Sequence, residues 1–115
     1  GCAIAIADIE SEDLRIIASQ AADEMLNISG IQSSYVLYRT GDIVNISARS
    51  MGAMNVQLIM EMLGGGGHQT MAAAQLSNIS VSDAKVRLLQ VIDQFYAQIN
   101  AQEEAPQERP EEMQN

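Results

Sequence analysis

Residues 32–50 read QSSYVLYRTGDIVNISARS, two β-rich runs separated by a turn. The first run, Gln32–Arg39, is rich in Tyr, Val and Leu, and Thr40-Gly41-Asp42 follows it as a turn signal. The second run, Ile43–Ser50, alternates apolar and polar residues, so its side chains point alternately to two faces. The polar face carries Asn45, Ser47 and Arg49. The pattern predicts an antiparallel β-hairpin.

Apolar segments on both sides of the hairpin complete the predicted fold. Cys2–Asp8 predicts a strand with a helix after it, Ala53–Leu63 a second helix, Thr70–Leu76 a short strand, and the residues after Ser80 a last helix. Inward positions on the first and last helices are Leu14, Ile17, Ala18, Ala21, Ala22, Met25, Leu26, Val86, Leu89, Ile92, Phe95 and Ile99. The order β-α-β-β-α-β-α predicts an α/β (α+β) fold, a small mixed sheet with helices packed on it. Both strand–helix–strand units are predicted to be parallel crossovers.

Length and charge limit the class of protein. The chain has 115 residues and a net charge of −9, which fits one domain whose surface repels duplex nucleic acid. Residues 1–100 hold nearly all the apolar periodicity, and the Glu/Gln-rich residues 101–115 predict a disordered acidic tail. The single cysteine, Cys2, excludes an internal disulfide and a cysteine zinc cluster.

The tetraglycine Gly64–Gly67 and the only histidine, His68, form the strongest candidate site. Four ordered glycines cost much backbone entropy, which a site with bare amides around a phosphate would justify. His68 would add a hydrogen-bond donor. The alternative is a flexible connector with an incidental histidine. No Lys-Ser/Thr follows the glycines, so the run is not a Walker loop.

Three further positions carry open alternatives. Arg49 offers a planar fork that matches phosphate, with Ser47 and Ser50 as small hydrogen-bonding neighbours. It could equally be a solvated arginine paired with a surface carboxylate. Asn55, near the start of the second helix, could bond a ligand at that helix terminus or cap the helix.

Carboxylates cluster before the first helix, at Asp8, Glu10, Glu12 and Asp13. Their spacing fits no calcium loop, and acids at a helix start are stabilised there without a metal. We predict no metal ligands. The residue types leave a Ser-His-Asp triad open, but no nucleophile elbow is present.

Several of these segments together resemble a known family. ISARS at Ile46–Ser50, NVQ at Asn55–Gln57, MLGGGGH at Met62–His68 and Ala72-Ala73-Ala74 resemble the C-terminal DHH-associated domain of DHH-family phosphoesterases. The likeness covers residues 2 to 100 and is greatest to the membrane-anchored cyclic di-AMP phosphodiesterases of the GdpP type. The substrate-binding residues expected from pattern and resemblance together are Ser47, Arg49, Ser50, Asn55, Gly64, Gly65, Gly66, Gly67 and His68.

The resemblance implies a substrate-binding domain of an enzyme that hydrolyses cyclic di-AMP to pApA. Two Mn²⁺ ions are then expected in a separate DHH domain of the same parent chain, and the isolated domain is expected to be inactive. The implied parent is anchored in the cell membrane with this domain in the cytoplasm, and a homodimer is compatible with it. The Gly-Cys start is consistent with a longer parent.

Two alternatives stay open at this point. One is the same domain of an oligoribonucleotide (nanoRNA) or 3′-phosphoadenosine phosphatase, with a short oligonucleotide as ligand. The other is a non-catalytic nucleic-acid-binding module, as in alanyl-tRNA synthetases, which the acidic balance disfavours.

Overall fold

A mixed five-stranded sheet organises the protein, with helices on both of its faces. The computed structural model describes residues 1–7 and 13–108. In chain order the elements are β1 (Cys2–Ala7), α1 (Leu14–Met25), β2 (Ser33–Thr40), β3 (Ile43–Ser50), α2 (Val56–Glu61), β4 (Gly66–Gly67), β5 (Met71–Ser77) and α3 (Val81–Glu108). The strand order is β1-β2-β3-β5-β4. The predicted α/β class with a mixed sheet is confirmed, and β4 is an additional strand inside the tetraglycine.

The central hairpin forms as the alternation predicts. Strands β2 and β3 are antiparallel, with Ser34 opposite Arg49 and Thr40 opposite Ile43. Gly41 lies in the two-residue turn with φ of 61°, a conformation that favours glycine. β1 runs parallel to β2, so the first predicted crossover is confirmed.

The second predicted crossover is wrong. β3 and β5 are antiparallel neighbours, with Arg49 opposite Met71, and the Ser50 N–H donates to Thr70 O at 3.0 Å. The six residues of α2 rise about 9 Å, whereas a return along the eight residues of β3 needs about 26 Å. The chain therefore re-enters the sheet at the end where it left.

Each face of the sheet has its own apolar cluster. The larger cluster joins β2, β3 and β5 to α2 and α3 through residues such as Tyr35, Leu37 and Ile46. The smaller one packs α1 against Val36 and Tyr38. Its helical members are Leu14, Ala18 and Ala22. These three confirm the predicted face of α1, whereas Ile17 is 36% exposed.

The buried stripe of α3 is offset from the predicted one. Ile92 and Phe95 are buried as expected, but Val86 and Leu89 are 51% and 40% exposed, so the prediction for these two is wrong. Ala84 and Leu88 take their place in the core. The helix carries two adjacent apolar stripes, and contact with the sheet selects one of them.

The last helix continues to Glu108, past the predicted end of the domain. Ala, Gln and Glu are strong helix formers, so this stretch is helical without apolar residues to bury. Residues 109–115 of the predicted tail lie outside the described residues, and the division into domain and tail stays a prediction. Across residues 1–7 and 13–108, no helix combines the length and apolar content that a bilayer crossing requires.

Candidate functional site

The polar face of β3 forms the floor of a groove beside α1. Asn45, Ser47 and Arg49 are only 6%, 5% and 8% exposed, and they face away from the larger core. This confirms the predicted alternation of β3. The groove has a volume of about 340 Å³ and is walled by Arg15 and Ser19 of α1.

A row of small residues crosses the floor of the groove. Ser47 pairs with Ala73, and Ala73 pairs with Gly66 on the outer strand β4. Directly paired residues of antiparallel strands share a face, so all three lie on the groove side. Two strand spacings separate Ser47 from Gly66, about 10 Å. The rows on either side are bulkier, Asn45 with Gln75 and Arg49 with Met71.

Three of the four glycines are required by the backbone itself. Gly64 lies in the turn after α2 and has a φ of 85°. A Cβ on Gly65 would lie 2.1 Å from Ala73 O, and one on Gly67 would lie 2.6 Å from the Cα of Ala72. Gly66 differs, because a Cβ there would meet nothing within 4 Å. No contact with the described residues therefore explains Gly66, and its position opens onto the groove.

Arg49 is the groove cation that hydrogen bonds hold in place. Its Nε donates to Asp23 Oδ1 at 3.0 Å and its Nη1 donates to Ala48 O at 2.9 Å. Among the described residues, Nη2 has no hydrogen-bond partner. Arg49 therefore pairs with a surface carboxylate, as one of the two alternatives supposed. It is nearly buried, however, and not solvated.

Tyr38 places a neutral hydroxyl in the groove wall. Burial raises its pKa above 10.0, while the Arg15 guanidinium and the Ser47 hydroxyl act in the opposite direction. Arg15 and Ser47 line the same groove as Tyr38. Tyr38 stays protonated at neutral pH and can donate a hydrogen bond.

The remaining predicted residues do not line this groove. The Ser50 hydroxyl donates to Gln69 O at 3.1 Å. This bond joins the end of β3, before the loop to α2, to the turn between β4 and β5. Asn55 Oδ1 accepts from the Leu58 N–H at 3.2 Å, so Asn55 caps α2. Gly64 and Gly65 line a second concavity of about 310 Å³ with residues of β5.

His68 lies in the turn that joins β4 to β5. Its backbone N–H donates to Met71 O at 2.7 Å, and its side chain is exposed. In the part of the chain that the structure describes, the imidazole makes no hydrogen bond or ion pair. Of the predicted residues, the groove brings together Ser47, Arg49, Gly66 and Gly67.

Within the described ranges, no group of three His, Cys, Asp or Glu side chains could hold a metal ion. Asp13 occupies the position before the first residue of α1. Asp8, Glu10 and Glu12, the other members of the predicted acidic cluster, lie outside the described residues.

The predicted site left out five polar groove residues, Arg15, Ser19, Tyr38, Asn45 and Gln75. Asn45 was recognisable in principle, because it shares a strand face with Ser47 and Arg49. Its Nδ2 donates to Thr40 Oγ1 at 2.8 Å. Arg15 and Ser19 carried no such signal, because their place depends on how α1 packs on the sheet.

Comparison with known proteins shows the family. The DHHA1 domain matches residues 2–98 of this chain. The chain belongs to the DHHA1 domain family. This DHHA1 domain is 45% identical over 97 residues to the cyclic-di-AMP phosphodiesterase PdeA of Listeria monocytogenes, covering 84% of this chain and 15% of that protein. It is 49% identical over 83 residues to the cyclic-di-AMP phosphodiesterase GdpP of Bacillus subtilis, covering 71% of this chain and 13% of that protein. The chain therefore spans about one seventh of the length of these relatives.

Solved structures share the fold of this DHHA1 domain. An exopolyphosphatase-related protein from Bacteroides fragilis superimposes with a TM-score of 0.62 at 19% identity, over 69% of this chain and 23% of that one. The C-Ala domain of Aquifex aeolicus alanyl-tRNA synthetase does so with a TM-score of 0.58 at 17% identity, over 78% of this chain and 88% of that one. At such identities the likeness concerns the fold alone.

Proposed function

We propose that this DHHA1 domain is the substrate-binding part of a cyclic di-AMP phosphodiesterase and holds a nucleotide phosphate in the groove beside α1. Relatives named as cyclic-di-AMP phosphodiesterases are 45% to 49% identical to it. The observation that carries the proposal is that Arg49 and Gly66 open onto the same groove. One supplies a cation and the other supplies unobstructed backbone.

Arg49 is suited to bind phosphate because its guanidinium is oriented before a ligand arrives. Asp23 holds Nε and Ala48 O holds Nη1, which leaves Nη2 for a phosphate oxygen. A preorganised fork loses less conformational entropy on binding than a mobile one. Ser47, two residues earlier on the same face, supplies a hydroxyl next to that phosphate.

Gly66 lets the ligand approach the main chain. β4 is the outer strand of the described sheet, so one of its edges does not pair with β5. Free backbone N–H groups on such an edge bind phosphate oxygens. His68 is exposed directly after Gly67 but does not line the groove, so its contact with the same ligand stays a prediction.

Hydrolysis belongs in this proposal to a DHH domain of a longer, membrane-anchored parent that holds two Mn²⁺ ions. In this proposal the DHHA1 domain binds and orients the nucleotide, and no group of three described His, Cys, Asp or Glu side chains could hold these ions. The 115-residue chain with added Mn²⁺ is expected to show no turnover of cyclic di-AMP. Turnover by this chain would contradict the assignment.

The proposal is tested by titrating the ¹⁵N-labelled 115-residue chain with cyclic di-AMP and following its amide NMR signals. The largest shifts are expected at Ser47, Arg49, Gly66 and Gly67. Arg49→Gln is expected to weaken binding about ten-fold, because a hydrogen bond to a charged group is lost. Arg87→Gln, which makes the same charge change on α3, is the control and is expected to bind like the wild type.

Two results would contradict the proposal. One is a set of shifts confined to α2 and α3, on the opposite side of the sheet. The other is wild-type affinity in a folded Arg49→Gln chain.

If Arg49→Gln does not fold, Gly66→Ala tests the same groove without touching the α1 contact. In the parent enzyme, faster cleavage of pApA than of cyclic di-AMP would favour the oligonucleotide phosphatase alternative.

A further inference from the structure

The positive charges of this acidic domain are unevenly placed. The chain has a net charge of −9, yet two of its arginines, Arg15 and Arg49, line one groove. No described residue that lines the groove is acidic. Asp23 pairs with Arg49 from beside the groove, so Arg15 is the groove cation without a counter-charge among the described residues, and the concavity attracts an anion.

The other described lysine and arginine side chains lie elsewhere. Arg39 donates to Gly41 O at 3.1 Å and to Ile79 O at 2.9 Å, which fastens the hairpin turn to the loop before α3. Lys85 and Arg87 are exposed on α3, which packs on the other face of the sheet. The concentration of charge in the groove is therefore specific to Arg15 and Arg49.

Arg15 is the second cation of the groove. It is exposed in the first turn of α1, and among the described residues its guanidinium has no ion pair or hydrogen bond. It lies near Tyr38, whose pKa its charge lowers against the effect of burial. A long cation at the mouth of a groove, without a partner in the described domain, is available to a ligand.

Arg15 and Arg49 occupy opposite ends of the groove. Arg15, Ser19 and Asp23 follow one another at intervals of four residues, so they lie along one side of α1. Asp23 holds Arg49, and eight helical residues separate it from Arg15, about 12 Å along the axis. Ser19 of α1 and the row of small residues that begins at Ser47 lie between these ends.

We propose that Arg15 binds the second phosphate of a two-phosphate dinucleotide whose first phosphate is held by Arg49 and the backbone of Gly66. This inference rests on the proposed function and extends it. Two arginines at opposite ends of one groove select a ligand by its number of phosphates and by their separation. The domain then prefers a dinucleotide with two phosphates over one with a single phosphate, whichever bases it carries.

The test compares pApA, which has two phosphates, with ApA, which has the same bases and one phosphate. Both are titrated into the 115-residue chain and followed by amide NMR shifts. The wild type is expected to bind pApA more tightly than ApA. Arg15→Gln is expected to weaken pApA binding about five-fold, as for a partly exposed ion pair, and to leave ApA binding unchanged. Arg87→Gln controls for the loss of one charge and should change neither affinity.

The outcomes separate this inference from the proposed function. If Arg15→Gln weakens pApA and ApA equally, or weakens neither, the role of Arg15 is wrong while the groove assignment stands. If Arg15→Gln and Arg87→Gln weaken pApA equally, the effect is one of net charge and the inference is likewise overturned. If neither nucleotide shifts any groove amide of the wild type, the proposed function fails and this inference fails with it.

Discussion

Arg49 on β3 donates from Nε to Oδ1 of Asp23 on α1 across 3.0 Å, and this contact joins the floor of the groove to its wall. The Arg49 side chain is 10% exposed, whereas the Asp23 side chain is 61% exposed. An ion pair with one partner in water contributes little to stability. Its main consequence is geometric, because the carboxylate determines which way the guanidinium faces.

Changing Asp23 is expected to separate orientation from charge. Asp23→Asn keeps an oxygen acceptor for Arg49 Nε and removes a negative charge near the ligand, so cyclic di-AMP should bind at least as tightly as to the wild type. Asp23→Ala removes the acceptor and should weaken binding several-fold. Both variants should stay within about 1 kcal/mol of wild-type stability.

Amide NMR titrations and urea unfolding check these values. Equal losses of affinity in the two Asp23 variants would show that the charge, and not the position of the guanidinium, matters. Wild-type affinity in Asp23→Ala would show that Arg49 does not need this partner.

Adjacent glycines are expected to respond oppositely to the same substitution. Gly65→Ala places a Cβ 2.1 Å from Ala73 O and should lower the free energy of unfolding by about 2 kcal/mol or more. Gly66→Ala meets no atom within 4 Å and should leave stability unchanged or raise it by about 0.5 kcal/mol. Its methyl group occupies the groove floor, so nucleotide binding should weaken.

Urea unfolding and titration with cyclic di-AMP measure both effects. If the Gly66→Ala chain is stable and binds cyclic di-AMP like the wild type, the main chain at Gly66 does not contact the ligand. A stable Gly65→Ala chain would mean that β5 can move away from the tetraglycine.

Tyr35 carries a buried hydroxyl without a hydrogen-bond partner among the described residues. The residue is 0% exposed, and in the described part of the chain neither its hydroxyl nor that of Ser33 has a partner in hydrogen-bond geometry. Removing a buried polar group without a partner is neutral or stabilising. Tyr35→Phe is expected to keep or raise the free energy of unfolding at pH 7, measured with urea. A loss above about 1 kcal/mol would reveal a hydrogen bond to this hydroxyl.

The same side chain should limit stability at alkaline pH. Burial raises the pKa of Tyr35 from 10.0 to about 12, and the nearby Ser33 hydroxyl only partly offsets this. Between these values the unfolded chain releases the phenol proton while the folded chain keeps it. The contribution of Tyr35 to the free energy of unfolding is therefore fully present below pH 10. Between pH 10 and pH 12 this contribution falls by about 1.4 kcal/mol per pH unit. Tyr35→Phe should show a shallower decline between pH 10 and 12, and an identical decline would contradict the assignment.

Asn55 belongs to the segments that resemble the family, and its substitution tests whether it stabilises the fold or binds the ligand. Its Oδ1 caps α2 through the Leu58 N–H. Asn55→Ala should cost about 1 kcal/mol of stability, whereas Asn55→Ser, which keeps a capping oxygen, should cost less. Neither variant should change the affinity for cyclic di-AMP, measured by NMR titration under conditions in which the chain is folded. Loss of affinity in both folded variants would return Asn55 to the binding site.

Much of the site was predictable from local pattern. The alternation of β3 placed Ser47 and Arg49 on one face, and the cost of four ordered glycines pointed to a special backbone. The individual glycines could not be told apart in this way. Only the approach of β5 shows that Gly65 and Gly67 lack space for a side chain while Gly66 has it.

The amino-acid sequence by itself determined the strands, the helices, the hairpin and the polar face of β3, because these depend on residues a few positions apart. The tertiary structure decided that β5 runs antiparallel to β3, which apolar stripe of α3 is buried, and that Arg15 and Asp23 meet the groove. These outcomes depend on the length of α2 and on how distant surfaces pack together. No periodicity within a single segment encodes such relations.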